Sequence, residues 1–110
     1  MLNKIVVACT SALVFGSSAF AGTASGLVES YSIREGLFYF KILNATLQQR
    51  PACAVNTTYW IIKDEKSTTG RQQIATVMSA FAAGKHIYVT GANTCSKLVN
   101  GEDIYEIWTY

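Results

Sequence analysis

The sequence predicts a small, mainly β domain with one α-helix, in the order β-β-β-α-β-β. Three observations carry this. Five short segments are rich in β-branched and aromatic residues. A single stretch, residues 69–84, repeats its apolar residues at helical spacing. Beyond residue 21 the chain holds two cysteines, Cys53 and Cys95, the number that makes one disulfide.

The N-terminal leader comes first. Residues 1–21 read as a secretory signal: Lys4 near the start, an apolar run over 5–15, then small residues ending Ala19-Phe20-Ala21 before Gly22. Its removal leaves one domain, 22–110, secreted or periplasmic. A chain of 110 residues has no room for a two-domain enzyme or a full dinucleotide-binding fold. Val6-Val7-Ala8-Cys9 superficially matches a lipoprotein cleavage box, but the apolar stretch before Cys9 is too short for a normal leader.

Residues 27–34 alternate through Leu27, Glu29, Tyr31 and Ile33, a first strand. Glu35-Gly36 is a turn signal. Residues 37–43, Leu-Phe-Tyr-Phe-Lys-Ile-Leu, form a second strand that pairs back as a hairpin. Residues 44–51 are polar, contain the only proline and read as a loop; 57–63 is a third strand. Thr69-Gly70-Arg71-Gln72 fits a capping box, in which a hydroxyl and an amide satisfy free N–H groups at a helix start. Ile74, Val77, Met78, Phe81 and Ala82 then fall on one helical face. Gly84 is the natural stop, followed by Lys85 at the negative end of the dipole. Residues 86–90 are a fourth strand, 91–101 a loop carrying Cys95, and 104–110 the fifth strand.

A helix between the third and fourth of five strands is the order of a small OB-fold-like barrel. There the helix would plug one end and bury its apolar face. An open antiparallel sheet with the helix across it is the competing arrangement. In an exported domain Cys53 and Cys95 form one disulfide, worth about 4 kcal/mol for a loop of this length in the chain-entropy model.

The formal charge of +2 includes Lys4, and the remaining basic residues are scattered among acids. Without a basic stripe the sequence argues against nucleic acid as a partner. The longest apolar runs of the domain, such as 37–40 and 59–62, fall far short of the roughly 20 residues that span a bilayer.

Several segments together resemble a group of short exported bacterial proteins. They are Arg50-Pro51-Ala52-Cys53 before the third strand, Gly70-Arg71 at the helix start and Ala83-Gly84-Lys85 at its end. Ile87-x-Val89-x-Gly91, Cys95-Ser96 and Glu102-Asp103-Ile104 complete the set. In architecture this group resembles the receptor-binding B subunits of AB5 toxins of the subtilase-cytotoxin and pertussis-like type. The resemblance implies an exported OB-like subunit and a homo-oligomer, a pentamer if toxin-like. No sugar-contacting segment of such subunits matches, so no binding residue carries over.

No catalytic, metal or cofactor constellation emerges. His86 is the lone histidine, with Asp64 or Asp103 as the only orienting acids, and there is no G-x-S-x-G elbow. Among carboxylates, Glu102 and Asp103 are neighbours that point apart in an extended segment, and Glu106 shares its strand face with Ile104 and Trp108. Asp64-Glu65 and Glu102-Asp103 lack the dense oxygen spacing of calcium loops. Asn44 and Asn56 head chance glycosylation sequons in a chain with a bacterial-type leader. What remains is the tyrosine content, since a tyrosine offers an apolar ring and a hydroxyl that needs a partner. On an OB-like scaffold the faces of strands two and three dock sugars or oligonucleotides. Tyr39, Lys41 and Tyr59 are therefore the candidate ligand surface, and the expected function is a non-enzymatic binding module for a glycan or a protein. The alternative is a periplasmic inhibitor or envelope accessory protein acting through one protein contact.

Overall fold

The computed structural model describes residues 21–110; the expected leader, apart from Ala21, lies outside the described residues, and Lys4 and Cys9 with it. β1 (Thr23–Arg34) and β2 (Leu37–Ile42) form the expected hairpin, turning at Gly36 with φ 72°. A single 3-10 turn (Ala52–Ala54) carries Cys53, and β3 (Trp60–Ile61) leads to α1 (Thr68–Ala83). β4 (His86–Gly91) and β5 (Glu102–Thr109) complete the chain. The strands close into a barrel in the order β1-β2-β3-β5-β4, with β4 returning to β1. All neighbours are antiparallel except β3 with β5. This is the OB-fold-like barrel and not the open sheet.

Closure depends on β1, which is long enough to serve two neighbours. Residues 23–27 pair with β4, and the strand from Val28 onward pairs with β2. At the changeover Val28 faces Ile42 while Ser30 faces Lys41, so Glu29 is an extra residue, a β-bulge that re-aims the strand. Inward parity switches there: Ala24 and Val28 are buried before it, and Tyr31 packs on the core after it. The single alternation expected through Leu27, Glu29, Tyr31 and Ile33 is therefore broken, and Ile33 is 69% exposed. A second bulge sits in β5, where Thr90 faces Glu106 and Gly91 faces Ile104, leaving Tyr105 unpaired. Beyond it Ile107 packs on the core, so Glu106 does not share the face of buried Ile104.

The core joins Phe38, Phe40, Trp60, Ile62, Ile87 and Ile104. Val77 and Ala80 cap it from the helix. The N-cap of α1 is Ser67 rather than Thr69. The Ser67 hydroxyl accepts from Gly70 N at 2.9 Å, because the chain folds tightly over Asp64: a Cβ on Gly70 would lie 1.9 Å from the Asp64 carbonyl oxygen. The helix ends as expected at Gly84, in the left-handed region at φ 67°, its N–H bonded to the Ala80 carbonyl.

The buried stripe of α1 is Gly70, Gln73, Val77 and Ala80, with Ile74 partly buried beside them. Met78, Phe81 and Ala82 lie at or beyond its edge, exposed. Gln73 displaces them because its amide Nε2 donates to the Tyr105 carbonyl at 3.1 Å, serving the backbone at the β5 bulge. Phe81 still meets Tyr31 edge-on, ring centroids 5.4 Å apart.

Candidate functional site

Tyr39 and Lys41 occupy the outward positions of β2, between the buried Phe38, Phe40 and Ile42. Tyr59 directly precedes β3, which pairs with β2 through Tyr39 to Ile61 and Phe40 to Trp60. The three side chains converge. The rings of Tyr39 and Tyr59 meet edge to face at 5.2 Å and 87°, and Lys41 Nζ lies 5.8 Å from the centre of the Tyr59 ring. Lys41 also reaches Glu29 Oε2 at 3.8 Å, so the β1 bulge supplies a counter-charge. The Arg34 guanidinium stands 6.0 Å from the Tyr39 ring. Ser30 and Ser32 of β1 border the shallow cavity of about 160 Å³ that results. Such a surface offers ring faces for the C–H side of a sugar or the flank of a peptide, with hydroxyls and an ammonium for hydrogen bonds.

Tyr59 is held in place from beneath by Arg50. The guanidinium donates through Nη1 to the Thr57 carbonyl at 2.6 Å and through Nη2 to the carbonyl of Tyr59. It stacks on the Trp60 ring with Cζ 4.4 Å from the centroid, and Nε faces Glu102 Oε1 at 3.5 Å. Two carbonyls of the expected third strand are thus committed to a side chain and not to a neighbouring strand. This explains why β3 starts at Trp60 and not at 57 as expected; the strand also stops at Ile61, short of the expected 63. Burial pushes the Arg50 pKa down from its ordinary value, while the charge and hydrogen bond of Glu102 push it up; a guanidinium keeps its proton under such conditions.

Glu102 and Asp103 are both fully buried, and sequence reasoning missed their structural weight. They do point apart. Glu102 accepts from Gly22 N and Asn93 N, each at 3.0 Å. On the other side of β5, Asp103 Oδ2 accepts from Thr94 Oγ1 at 2.6 Å, Ser96 N at 2.9 Å and Ser96 Oγ at 2.7 Å. Asp103 thereby shapes the loop that carries Cys95. That loop is bonded to the 3-10 turn by the Cys53–Cys95 disulfide, with a Cα separation of 6.3 Å. β5 begins at Glu102, two residues earlier than expected, because Trp60 and Ile61 pair with Glu102 and Asp103 in parallel. The signal in the sequence was a pair of adjacent acids running straight into an apolar strand, with no turn residue between them.

The other residues weighed from sequence stay apart from this face. His86 is exposed and rests against the Tyr110 ring, centroids 5.5 Å apart. Glu106 lies exposed on β5. Among the described residues no three His, Cys, Asp or Glu side chains gather as a metal site, and no helix is long and apolar enough to cross a membrane. A second aromatic row runs along the outer face of β4 and β5. Tyr88 meets Trp108 at 5.3 Å, and Trp108 meets Tyr110 at 6.5 Å. Trp108 and Tyr110 are 51% and 60% exposed.

Compared with known protein families, curated proteins and solved structures, the chain matches none.

Proposed function

We propose that this chain is an exported, non-enzymatic binding module whose β2–β3 outer face takes a glycan. The observation that supports the reading most is the convergence of Tyr39, Lys41 and Tyr59 on one cavity. These are the positions where an OB-like barrel docks its ligands. In the toxin-like version the module is a receptor-binding subunit that works as a homo-oligomer. A glycan array with the disulfide-intact protein tests the reading: binding that falls at least tenfold in Tyr59→Ala and in Lys41→Ala supports it. An array that stays silent at micromolar protein overturns it, and a monomer by light scattering removes the toxin-like version.

One observation favours a second reading, an inhibitor or envelope accessory protein that makes a single protein contact. Trp and Tyr dominate the binding energy of protein interfaces, and the Tyr88-Trp108-Tyr110 row presents both to solvent. A stoichiometric complex recovered from periplasmic extract of the producing cell, and lost with Trp108→Ala, would replace the glycan reading.

A further inference from the structure

The Glu102 carboxylate is gripped from a direction that concerns the start of the domain. Gly22 is buried; its N–H lies 3.0 Å from Glu102 Oε2, across 80 residues of sequence. Its carbonyl accepts from Gly91 N at 2.8 Å. Neither glycine leaves room for a side chain. A Cβ on Gly22 would lie 2.5 Å from Glu102 Oε1 and 2.8 Å from Arg50 Cγ, and one on Gly91 would lie 1.9 Å from Glu102 Oε2. The fold therefore brings the bare backbone nitrogen of residue 22 against a buried charge. Residue 22 is also the one that follows Ala19-Phe20-Ala21, the small-x-small pattern of a leader cleavage site.

In the uncut chain that nitrogen is a neutral amide. Hydrolysis of the Ala21–Gly22 bond consumes one water, leaves a carboxylate on Ala21, and frees an amine on Gly22 that binds a proton at neutral pH. We propose that leader removal turns this contact into an ion pair, with the Gly22 α-ammonium docked on the buried Glu102 carboxylate, and that the domain gains its full stability only after the cut. The inference rests on the exported reading above.

The existing charges leave this place open. Arg50 spends both Nη groups on the carbonyls of Thr57 and Tyr59, and only its Nε faces Glu102 Oε1, at 3.5 Å. Oε2 receives backbone N–H groups alone, from Gly22 and Asn93. Departure of the half-buried Ala21 lets water reach the remaining hydrogens of the ammonium. From β5, Glu102 favours the protonated amine; Arg50 and burial oppose it. From the end of β4 and the residues after it, Gly91, Ala92 and Asn93 bring no ionisable side chain, and Asp103 is turned toward Thr94 and Ser96. The Glu102 carboxylate lies in direct hydrogen-bond contact with the Gly22 nitrogen, at 3.0 Å, so the amine's pKa rises above its ordinary value of about 7.7 to 8.0. A raised basic pKa adds stability that is complete below the unfolded value and disappears as pH climbs through the folded one.

The test uses the full chain exported by a bacterial host. Intact mass of the purified protein reads where the leader is cut. Titration of the α-amine by NMR after isotopic dimethylation, and urea midpoints from pH 6 to 11, then compare it with a form carrying one Ser inserted between Ala21 and Gly22. The expected result is a chain beginning at Gly22 with an amine pKa about one unit or more above ordinary. Its urea midpoint should exceed that of the inserted form at pH 7, and the gap should close toward pH 11. Glu102→Gln should return the amine to its ordinary value; should that variant not fold, the titration of the unaltered protein decides alone. A chain cut at Gly22 whose amine titrates ordinarily overturns this proposal and leaves the exported reading standing. A chain that keeps its leader, or is cut elsewhere, overturns both.

Discussion

Two sides of the barrel use polar residues in opposite ways. Along the β3–β5 seam, the side chains of Arg50, Glu102 and Asp103 are buried and bonded inside the chain, Asp103 through Oδ2. On the adjoining outer face of β2, Tyr39, Lys41 and Tyr59 touch one another and remain partly exposed to solvent, the Lys41 ammonium beside Glu29. A buried charged group that loses its partner costs several kcal/mol, whereas a half-exposed tyrosine that is truncated costs far less. Substitutions on the seam should therefore act on folding, and substitutions on the face should act on binding.

Arg50→Ala should break the seam most severely. It leaves the Glu102 carboxylate buried with backbone donors alone and strands the carbonyls of Thr57 and Tyr59, so urea denaturation should show a loss of about 3–5 kcal/mol. Replacing both cysteines, Cys53→Ser with Cys95→Ser, should cost about 4 kcal/mol, read as a lowered melting temperature. Intact protein heated with and without reductant should reproduce that difference. Gln73→Ala deprives the Tyr105 carbonyl of its donor at the β5 bulge and should cost about 1 kcal/mol. Tyr39→Ala is the counter-test from the outer face. Its stability should fall by no more than about 1 kcal/mol, while its binding on the array is lost. A Tyr39→Ala protein that unfolds like Arg50→Ala would erase the distinction between the two sides.

The sequence carries the number, order and type of the elements because each has a local cause. Gly84 stops the helix by taking a left-handed backbone, and Glu35-Gly36 turns the first hairpin. The outward placement of Tyr39 and Lys41 follows from simple alternation in β2, a strand without an extra residue of its own. What could not be read has a nonlocal cause. The parity of β1 and β5 switches at Glu29 and Tyr105, and nothing in either strand marks its bulge, which serves closure onto a second partner. The helix face is turned toward Gln73 by a carbonyl 32 residues away. Burial of Glu102 depends on Gly22, Gly91 and Arg50, three residues that the chain brings together only in the finished barrel.

Closure between the first and the last strands of the barrel also bears on the order of events in folding. Thr23 pairs with Thr90, and Gly22 meets Glu102, so the first strand cannot be completed until nearly the last residues exist. Contacts of such sequence separation form slowly, since the entropy of joining distant segments must be overcome before they stabilise anything. The β1–β2 hairpin and α1 are local and can form early, but the barrel has to wait for β5. Until β5 is in place the hairpin and the helix have no closed core to share, so the barrel forms as one late, cooperative event.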